Sequence, residues 1–378
     1  MVKPIPAPIA RDAQSVPSLS MRAFLAMSVS NLSILRTVWD TTTRERRIGL
    51  YAPYSWPMRI LVTGGAGFVG SHLIDTLLAE GHSLIALDNI STGRIENLES
   101  ARNHPNFEYI EGSVLNQNLL EELISRTDYI FHLAAAVGVF NIVQKPLESL
   151  LINIRGTENV LELANKYKIP VLITSSSEVY GKNTKDSLSE IDDRIIGSPT
   201  ILRWSYSEAK AIDESLAMAY YVEHKLPIRI VRFFNTVGPR QVGNYGMVVP
   251  RFINMALNNQ PLTIYGDGTQ TRCFGHIFDV IQGLTKVAFS EKTIGQVVNI
   301  GNNKEISILD LAKRIIEKTN SKSEIKFVDY KDAYGEGFED MERRVPNISL
   351  IKDLTGWQPI RDLDQIIDDV AEFQRNSL

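Results

Sequence analysis

Short apolar runs rich in β-branched residues alternate along the chain with segments in which apolar residues recur at helical spacing. The first strong run, residues 59–63, ends in a glycine-rich turn, and Leu73, Leu77 and Leu78 follow it at helical spacing. Further apolar runs and helical segments lie at residues 129–133, 153–167, 171–174, 209–221 and 228–233. This alternation predicts an α/β fold with a doubly wound parallel sheet.

The chain divides into three parts. Residues 1–57 carry seven Lys/Arg against three Asp/Glu and are rich in serine, and a second methionine, Met58, directly precedes the first strand. We expect a weakly ordered extension, either a targeting segment or an addition without a role. Residues 58–235 are predicted to form a Rossmann-type dinucleotide-binding domain. Residues 236–378 are predicted to form a smaller α/β substrate-binding region that is interleaved with the sheet around residues 273–301.

Composition and charge exclude several classes of function. The net charge of -4 and the pI of about 6.0 give no reason to expect nucleic acid as a partner. No run of 18 apolar residues exists, so we expect no membrane association. Six scattered histidines show no metal-ligand spacing, so no metal is predicted. The single cysteine, Cys273, favours a buried small side chain over a catalytic thiol and fits a reducing, cytoplasmic compartment.

A glycine turn and an acidic residue predict the cofactor. Gly64, Gly67 and Gly70 lie between a strand and a helix, where glycines let the backbone approach a pyrophosphate at the helix N-terminus. The second strand ends in Asp88, 18 residues after Gly70. A carboxylate there can accept hydrogen bonds from both ribose hydroxyls and repels a 2′-phosphate, so NAD is favoured over NADP. Arg94 weakens this preference slightly, and the alternative for Asp88 is a cap at the end of the strand.

A tyrosine and a lysine four residues apart predict an acid–base pair. Tyr206 and Lys210 open a helix and share one face of it. An ammonium beside a phenol favours the phenolate, which gives a base that can remove a sugar hydroxyl proton. Tyr221 and Lys225 have the same spacing. We prefer Tyr206 because it begins its helix and follows a strand that ends in a serine cluster, whereas Tyr221 ends the helix among apolar residues.

From Met58 to about Phe373 the chain resembles the extended short-chain dehydrogenase/reductase family of nucleotide-sugar epimerases, dehydratases and decarboxylases. The features that carry this resemblance are residues 63–70, Asp88, His132-Leu133-Ala134-Ala135, Asn153, the cluster at residues 175–178, Tyr206/Lys210 and residues 232–240.

This resemblance implies a role for each matching residue. Ser176 would hydrogen-bond the 4-oxygen of the sugar, Tyr206 would be the base, and Lys210 would bind the nicotinamide ribose. Asn235 would hold the substrate diphosphate. A homodimer joined by helices near residues 158–166 and 209–221 is also implied. The residues implied to bind NAD are Gly64, Gly67, Phe68, Val69, Gly70, Asp88, Asn89, Leu133, Ala134, Ala135, Asn153, Tyr206 and Lys210.

One position departs from the family pattern. Ser113 stands where an aspartate commonly contacts adenine. This departure puts one cofactor contact in doubt, but not cofactor binding itself.

Four residues decide among the reactions of the family, all of which begin by oxidising C4 of the sugar. Ser177-Glu178 replaces the Asp-Glu pair of a 4,6-dehydratase and looks like the decarboxylases, as do Arg203 and Arg344. Arg344 would grip a C6 carboxylate or manage protonation after carbon dioxide leaves. The sequence therefore favours decarboxylation of UDP-glucuronate to UDP-xylose.

Other reactions stay open. A 4-epimerase of UDP-glucose or UDP-glucuronate is the alternative, followed by a dehydratase and by a non-catalytic NAD-binding protein. Glu178 would then be a capping carboxylate and Arg344 a partner of an acid or of the diphosphate. Asn347 replaces an aspartate that is frequent in the decarboxylase segment.

The substrate side is expected to come from the C-terminal part. Arg272 can make a bidentate contact with a diphosphate, and Tyr265 offers a surface near uracil. Arg251 is predicted to contact phosphate or, equally, to form a surface salt bridge.

Overall fold

The computed structural model describes residues 57–136, 145–243, 247–329, 332, 341 and 343–376, together with the backbone of two strands near the N-terminus. These two strands, β1 (Leu35–Asp40) and β2 (Glu45–Leu50), pair antiparallel. The expectation of weak order for the rest of the N-terminal extension falls outside the described residues.

Seven parallel strands form the central sheet of the molecule. They are β3 (Arg59–Thr63), β4 (Ser83–Asp88), β5 (Phe107–Glu111), β6 (Tyr129–His132), β7 (Val171–Ser176), β8 (Ile228–Phe233) and a late strand, β13 (Val297–Ile300). Across the sheet their order is β13-β8-β7-β6-β3-β4-β5. The order reverses between β3 and β6, where ligands of such sheets bind. The predicted doubly wound parallel sheet is thereby confirmed.

Shorter strands and nine helices complete the described residues. The strands are β9 (Thr236–Val237), β10 (Leu262–Tyr265), β11 (Thr271–Cys273), β12 (Gly275–His276), β14 (Glu305–Ser307) and β15 (Ile325–Val328). The helices are α1 (Phe68–Ala79), α2 (Gln117–Ser125), α3 (Pro146–Tyr167), α4 (Ser205–His224), α5 (Val248–Leu257), α6 (Ile277–Phe289), α7 (Ile308–Thr319), α8 (Ser349–Thr355) and α9 (Leu363–Asn376).

Helices cover both faces of the sheet, which explains why its strands are nearly continuous apolar runs. Apolar residues of α1 and α6 pack with Ile60 and Val62 on one face. Those of α2, α3 and α4 pack with Leu61 and Ile130 on the other. None of the helices in this part of the chain combines the length and apolarity that crossing a bilayer requires.

One helix begins earlier than the sequence pattern predicts, and another begins where the Tyr206/Lys210 pair places its start. α3 starts at Pro146 rather than at residue 153, since proline at the first helical position lacks only an N–H that the helix would leave unpaired. α4 starts at Ser205, which places Tyr206 in its first turn. It ends where Lys225 takes the left-handed conformation, with φ at 56°.

The C-terminal region has its own apolar cluster, formed mainly by α5, α7, α9 and β10. β10 pairs with β15, and β11 pairs with β14. Between these pairs the chain returns to the central sheet, because α6 packs on its face and β13 pairs with β8. This return brings the C-terminal residues close to the carboxyl ends of the sheet strands.

Candidate active site

A cavity of about 720 Å³ lies at the carboxyl ends of the sheet strands. Its walls include residues that follow or end β3, β4, β6, β7 and β8, and others from the C-terminal region. Every site residue that the sequence predicts lines this cavity, with the exception of Asn153. Residues that are up to 280 positions apart in the chain, from Gly64 to Arg344, therefore share one pocket.

The glycine turn at one end of the cavity has no room for side chains. Gly64 has a φ of +72°, and a Cβ there would lie 2.8 Å from the backbone nitrogen of Ala134. A Cβ on Gly70 would lie 2.2 Å from the carbonyl oxygen of Gly64. α1 begins directly after Gly67, whose position provides no side-chain cap. Its first N–H groups are therefore available to an anion.

Asp88 fixes this turn and also faces the cavity. Its carboxylate accepts hydrogen bonds from the backbone nitrogens of Ala66, at 3.0 Å, and Ile90, at 2.8 Å. Burial raises the pKa of Asp88, and the backbone hydrogen bonds oppose this rise. The backbone N–H of Gly67 also interacts with this carboxylate, so three of its about four lone-pair sites are used and one remains for a further donor. Asp88 can therefore hold the backbone of the turn and still accept a hydrogen bond from a ribose hydroxyl. The glycine turn together with Asp88 fits a dinucleotide.

Asn153 lies behind the pocket wall rather than in it. Its side-chain oxygen accepts from the backbone nitrogen of Ala136 at 2.9 Å, and its amide nitrogen donates to the carbonyl oxygen of the same residue at 3.2 Å. Asn153 is buried. It holds the loop that carries Leu133 and Ala135 into the cavity, so it supports the predicted cofactor-binding loop from behind.

Tyr206 lies beside Ser176, and the two side chains are hydrogen-bonded. Burial raises the pKa of Tyr206 well above its usual range, and the carboxylates of Glu178 and Asp213 raise it further. The hydrogen bond from Ser176 opposes this rise. The resting tyrosine is therefore a protonated phenol.

The effect of Lys210 on the pKa of Tyr206 stays a prediction, and the structure gives Lys210 a charged partner that the sequence pattern did not identify. The Lys210 ammonium donates to the Asp213 carboxylate at 3.1 Å, and both side chains are buried. Its positive charge is therefore balanced locally. Asp213 lies three residues after Lys210 on α4, and this spacing was the sequence signal that would have identified it.

The second pair of the same spacing lies elsewhere. Lys225 is exposed at the C-terminal end of α4, and its ammonium donates to the carbonyl oxygen of Val222 at 2.9 Å. Neither Tyr221 nor Lys225 lines the cavity. Their location agrees with the preference for Tyr206.

A buried cluster of three charged side chains lies next to Ser176. The two guanidinium nitrogens of Arg203 donate to Glu178 at 2.6 and 3.1 Å, and Arg344 donates to the same carboxylate at 2.7 Å. Burial alone would raise the pKa of Glu178, but the two arginines outweigh it and lower the pKa to about 2. Glu178 is therefore ionised, and two arginines with one glutamate leave a net charge of about +1.

Arg344 keeps one buried donor unused within the described residues. Its Nε has no hydrogen-bond partner there, whereas a terminal nitrogen of the same guanidinium contacts Glu178. Arg344 does pair with an acid, as one of the two interpretations of the sequence held. A buried N–H that lines a cavity is nevertheless a place for a ligand oxygen.

The segment that carries Arg344 is fastened on both sides. The neighbouring Arg343 donates to both carboxylate oxygens of Glu305 on β14 at 2.8 and 2.9 Å, and also to Asp186. The backbone nitrogen of Leu188 donates to the carbonyl oxygen of Val345 at 2.8 Å. No sequence pattern indicated the contacts of Arg343, because Glu305 and Asp186 are far away in the chain.

The other end of the cavity is formed by the C-terminal region. Arg251 donates to the Tyr265 hydroxyl at 2.8 Å, and its guanidinium lies 4.6 Å from the centre of that ring. The side-chain amide of Asn235 donates to the carbonyl oxygen of Cys273 at 2.9 Å. Arg272, which precedes Cys273 in the chain, is buried. Cys273 itself is buried, and burial raises its pKa to about 12, so the thiol is inert.

Comparison with known proteins gives one consistent family. Residues 61–370 match the family model described as GDP-mannose 4,6 dehydratase. A UDP-N-acetyl-alpha-D-glucosaminuronate decarboxylase from Bacillus cytotoxicus is 39% identical over 318 residues, which are 84% of this chain and 98% of that protein. A UDP-glucuronic acid decarboxylase 1 from Xenopus tropicalis is 38% identical over 320 residues, covering 85% of this chain and 73% of that protein.

A solved structure shows the same architecture. The UDP-glucuronic acid 4-epimerase from Bacillus cereus, in complex with UDP-glucuronic acid and NAD, is 30% identical with a TM-score of 0.77. The match covers 85% of this chain and all of that one.

Two glycines with positive φ allow a test of the cofactor cradle, by which we mean the glycine turn at residues 64–70. In Gly64→Ala the new methyl group meets backbone, whereas in Gly81→Ala, at a φ of +88°, it meets nothing within 4 Å. We expect Gly64→Ala to weaken dinucleotide affinity about 100-fold, or ~2.7 kcal/mol. Gly81→Ala should cost only about 1 kcal/mol of unfolding free energy. Calorimetric titration with NAD and urea unfolding measure the two effects. Equal NAD affinity in both variants would refute the cradle.

Proposed function

The chain belongs to the epimerase and dehydratase family of short-chain dehydrogenases, and on this premise we propose that it decarboxylates UDP-glucuronate to UDP-xylose with NAD as cofactor. It is an enzyme of nucleotide-sugar modification. The observation that carries the proposal is the cluster of Arg203, Glu178 and Arg344, which bears a net positive charge beside Tyr206. The decarboxylases from Bacillus cytotoxicus and Xenopus tropicalis support the same reaction class.

The glycine turn and the strand end after it would hold the cofactor. The cofactor diphosphate would bind at Gly64, Gly67 and the start of α1. Asp88 would accept hydrogen bonds from the ribose hydroxyls. The chemistry that bound NAD supplies is acceptance of the hydride from C4 of the sugar and its later return.

The C-terminal residues would hold the nucleotide half of the substrate. Arg272 and Arg251 present guanidinium groups, which match a diphosphate bidentately. Tyr265, whose ring already stacks on Arg251, offers a flat surface to a uracil ring. Asn235 lines the same cavity as these groups and Tyr206. The substrate diphosphate would lie beside it.

Tyr206 and Ser176 would act on the C4 oxygen. Since the two side chains are hydrogen-bonded to each other, one sugar hydroxyl can contact both. After Tyr206 has lost its own proton to solvent, its phenolate takes the hydroxyl proton as the carbon is oxidised, and the hydroxyl of Ser176 donates to the resulting ketone oxygen. This produces a 4-keto uronic acid.

Carbon dioxide is then lost without a further cofactor, because a 4-keto uronate is a β-keto acid. The C5–C6 bond breaks, its electron pair forms an enolate across C4 and C5, and the carboxylate leaves as CO₂. Tyr206, now protonated, and Ser176 donate hydrogen bonds to the enolate oxygen. Solvent supplies the proton at C5, and Tyr206 returns its proton to the C4 oxygen as C4 is reduced, which completes UDP-xylose.

The charged cluster would bind the carboxylate firmly enough to orient it but not so firmly that it cannot leave. Arg344 offers its unused Nε–H to the substrate carboxylate. Glu178 already neutralises one of the two arginine charges. The ground-state carboxylate is therefore stabilised less than it would be by two free arginines, and this favours the bond-breaking step.

Two other reactions have specific support. The Bacillus cereus relative is a 4-epimerase that binds UDP-glucuronic acid, so epimerisation of the same substrate is the main alternative. The Bacillus cytotoxicus relative is a decarboxylase of an N-acetylated uronic acid. These alternatives differ from the proposal in the fate of C6 and in the group at C2, respectively.

Product analysis by NMR separates these reactions. The enzyme is incubated with UDP-glucuronate, UDP-N-acetylglucosaminuronate, UDP-glucose and UDP-N-acetylglucosamine. We expect UDP-xylose and CO₂ from UDP-glucuronate, with no net NADH. Formation of UDP-galacturonate without CO₂ would show that the enzyme is an epimerase and not a decarboxylase. Faster turnover of UDP-N-acetylglucosaminuronate would show that the N-acetylated acid, and not UDP-glucuronate, is the substrate.

Adjacent arginines provide a matched pair of variants. Arg344→Met removes the donor that faces the cavity, so we expect kcat/KM for UDP-glucuronate to fall by about 10³, or ~4 kcal/mol. Arg343→Met, whose side chain instead pairs with Glu305, should lose less than about tenfold. Calorimetry should show unchanged affinity of both variants for UDP. Equal losses of kcat/KM in both would contradict a role for Arg344 in the reaction.

We also propose a homodimer joined through α3 and α4, which pack against each other. α4 leaves Ile212 and Val222 exposed, with 41% and 59% of their surface accessible. Ile212→Arg combined with Val222→Arg should convert a dimer into a monomer of 42.4 kDa in light scattering. Ile360→Arg, at another exposed apolar position, should leave the dimer intact. A monomeric wild-type protein would disprove this assembly.

A further inference from the structure

A buried carboxylate lies next to the catalytic pair and has no role in the mechanism described so far. Asp213 follows Lys210 by three residues on α4, and the two charged groups lie 3.1 Å apart. Only 1% of the Asp213 side chain and 3% of the Lys210 side chain are exposed. An ion pair this deeply buried is costly to form, since both ions lose their hydration.

Asp213 is tied to the cofactor end of the pocket through a chain of hydrogen bonds. Burial raises the pKa of Asp213, and Lys210 and the hydroxyl of Thr157 on α3 oppose this rise. Oδ1 of Asp213 has no hydrogen-bond partner among the described residues. The hydroxyl of Thr157 lies 3.1 Å from Nε2 of His132, whose Nδ1 lies 2.8 Å from the hydroxyl of Thr63. Thr63 ends β3 directly before the glycine turn. Asp213 therefore links the catalytic helix to the strand that carries the cradle.

Each titratable group around this chain of hydrogen bonds has an identified charge state or partner. Burial and the charge of Lys210 lower the pKa of His132 to about 3, so the imidazole is neutral. Glu214, the neighbouring buried carboxylate on α4, is bound by both Arg232, at 2.7 Å, and the Ser175 hydroxyl, at 2.5 Å. Glu178 is bound by its two arginines. Lys210 is therefore balanced by Asp213 and not by Glu214 or Glu178.

We propose that Asp213 is a positioning residue that fixes the Lys210 ammonium and balances its charge beside Tyr206. Without this carboxylate the ammonium would act on the phenol uncompensated. With it, the resting tyrosine keeps its proton. This inference rests on the proposed function only in taking Tyr206 as the base.

The sign of the effect follows from Coulomb's law. Asp213 is among the carboxylates that raise the pKa of Tyr206, and removing a negative charge lowers the pKa of a nearby phenol. Asp213→Asn keeps the size of the side chain and its ability to accept a hydrogen bond from Lys210, and it removes only the charge. The variant should therefore ionise Tyr206 at a lower pH.

The test is the pH dependence of kcat/KM for Asp213→Asn, measured on whichever nucleotide sugar the wild-type enzyme converts. We expect the midpoint of the acidic limb to fall by about one pH unit, with KM changed less than about twofold. Glu223→Gln, an exposed acid near the end of the same helix, should leave the midpoint unchanged. A failed decarboxylase assignment would leave this test intact, because it changes the product and not the pH midpoint.

Two results would overturn the inference. In the first, Asp213→Asn lowers kcat/KM equally at every pH, which is the behaviour of a purely structural residue. In the second, Asp213→Glu, which keeps the charge and should retain the wild-type midpoint, shifts it as far as Asp213→Asn does. If Asp213→Asn fails to fold, Asp213→Ser, which also removes the charge, takes its place, and an unchanged midpoint in that variant overturns the inference.

Discussion

The contact between Glu178 and its two arginines is the interaction on which the rest of the site depends. It joins three segments: the end of β7, the turn Leu202–Trp204 before α4, and the segment after residue 341. Buried ion pairs seldom stabilise a fold by themselves, because each charge loses its hydration. Removing one partner destabilises the fold far more than replacing the whole pair by apolar side chains, because it leaves a buried charge uncompensated. The cluster therefore makes the positions of Tyr206, the cavity-lining Arg344 and the sheet edge depend on one another.

Charge balance around Tyr206 organises the chemistry. Lys210 with Asp213 and Arg232 with Glu214 each sum to zero, whereas the Glu178 cluster keeps one positive charge. A uronate differs from an ordinary sugar by the negative charge at C6. The surplus positive charge of the Glu178 cluster therefore lies where it can distinguish a uronate from an ordinary sugar. Burial, together with the charges of Glu178 and Asp213, keeps Tyr206 protonated.

Much of this arrangement was predictable from the sequence, because parallel strands direct their carboxyl ends to one edge. The glycine turn, Asp88 and the serine cluster all follow apolar runs, and all line the cavity. Partnerships were less predictable. Glu178 and Arg344 are 166 residues apart, so only the fold reveals that they touch. Asp213 was missed as the partner of Lys210 because a tyrosine four residues away was considered and an aspartate three residues away was not.

The most direct test is a crystal structure of Tyr206→Phe with NAD and UDP-glucuronate bound, since this variant should hold the unreacted sugar. The account predicts the sugar carboxylate within hydrogen-bonding distance of Arg344, with the C4 hydroxyl at Ser176. A carboxylate directed away from the arginine cluster, towards solvent or the C-terminal wall, would contradict it.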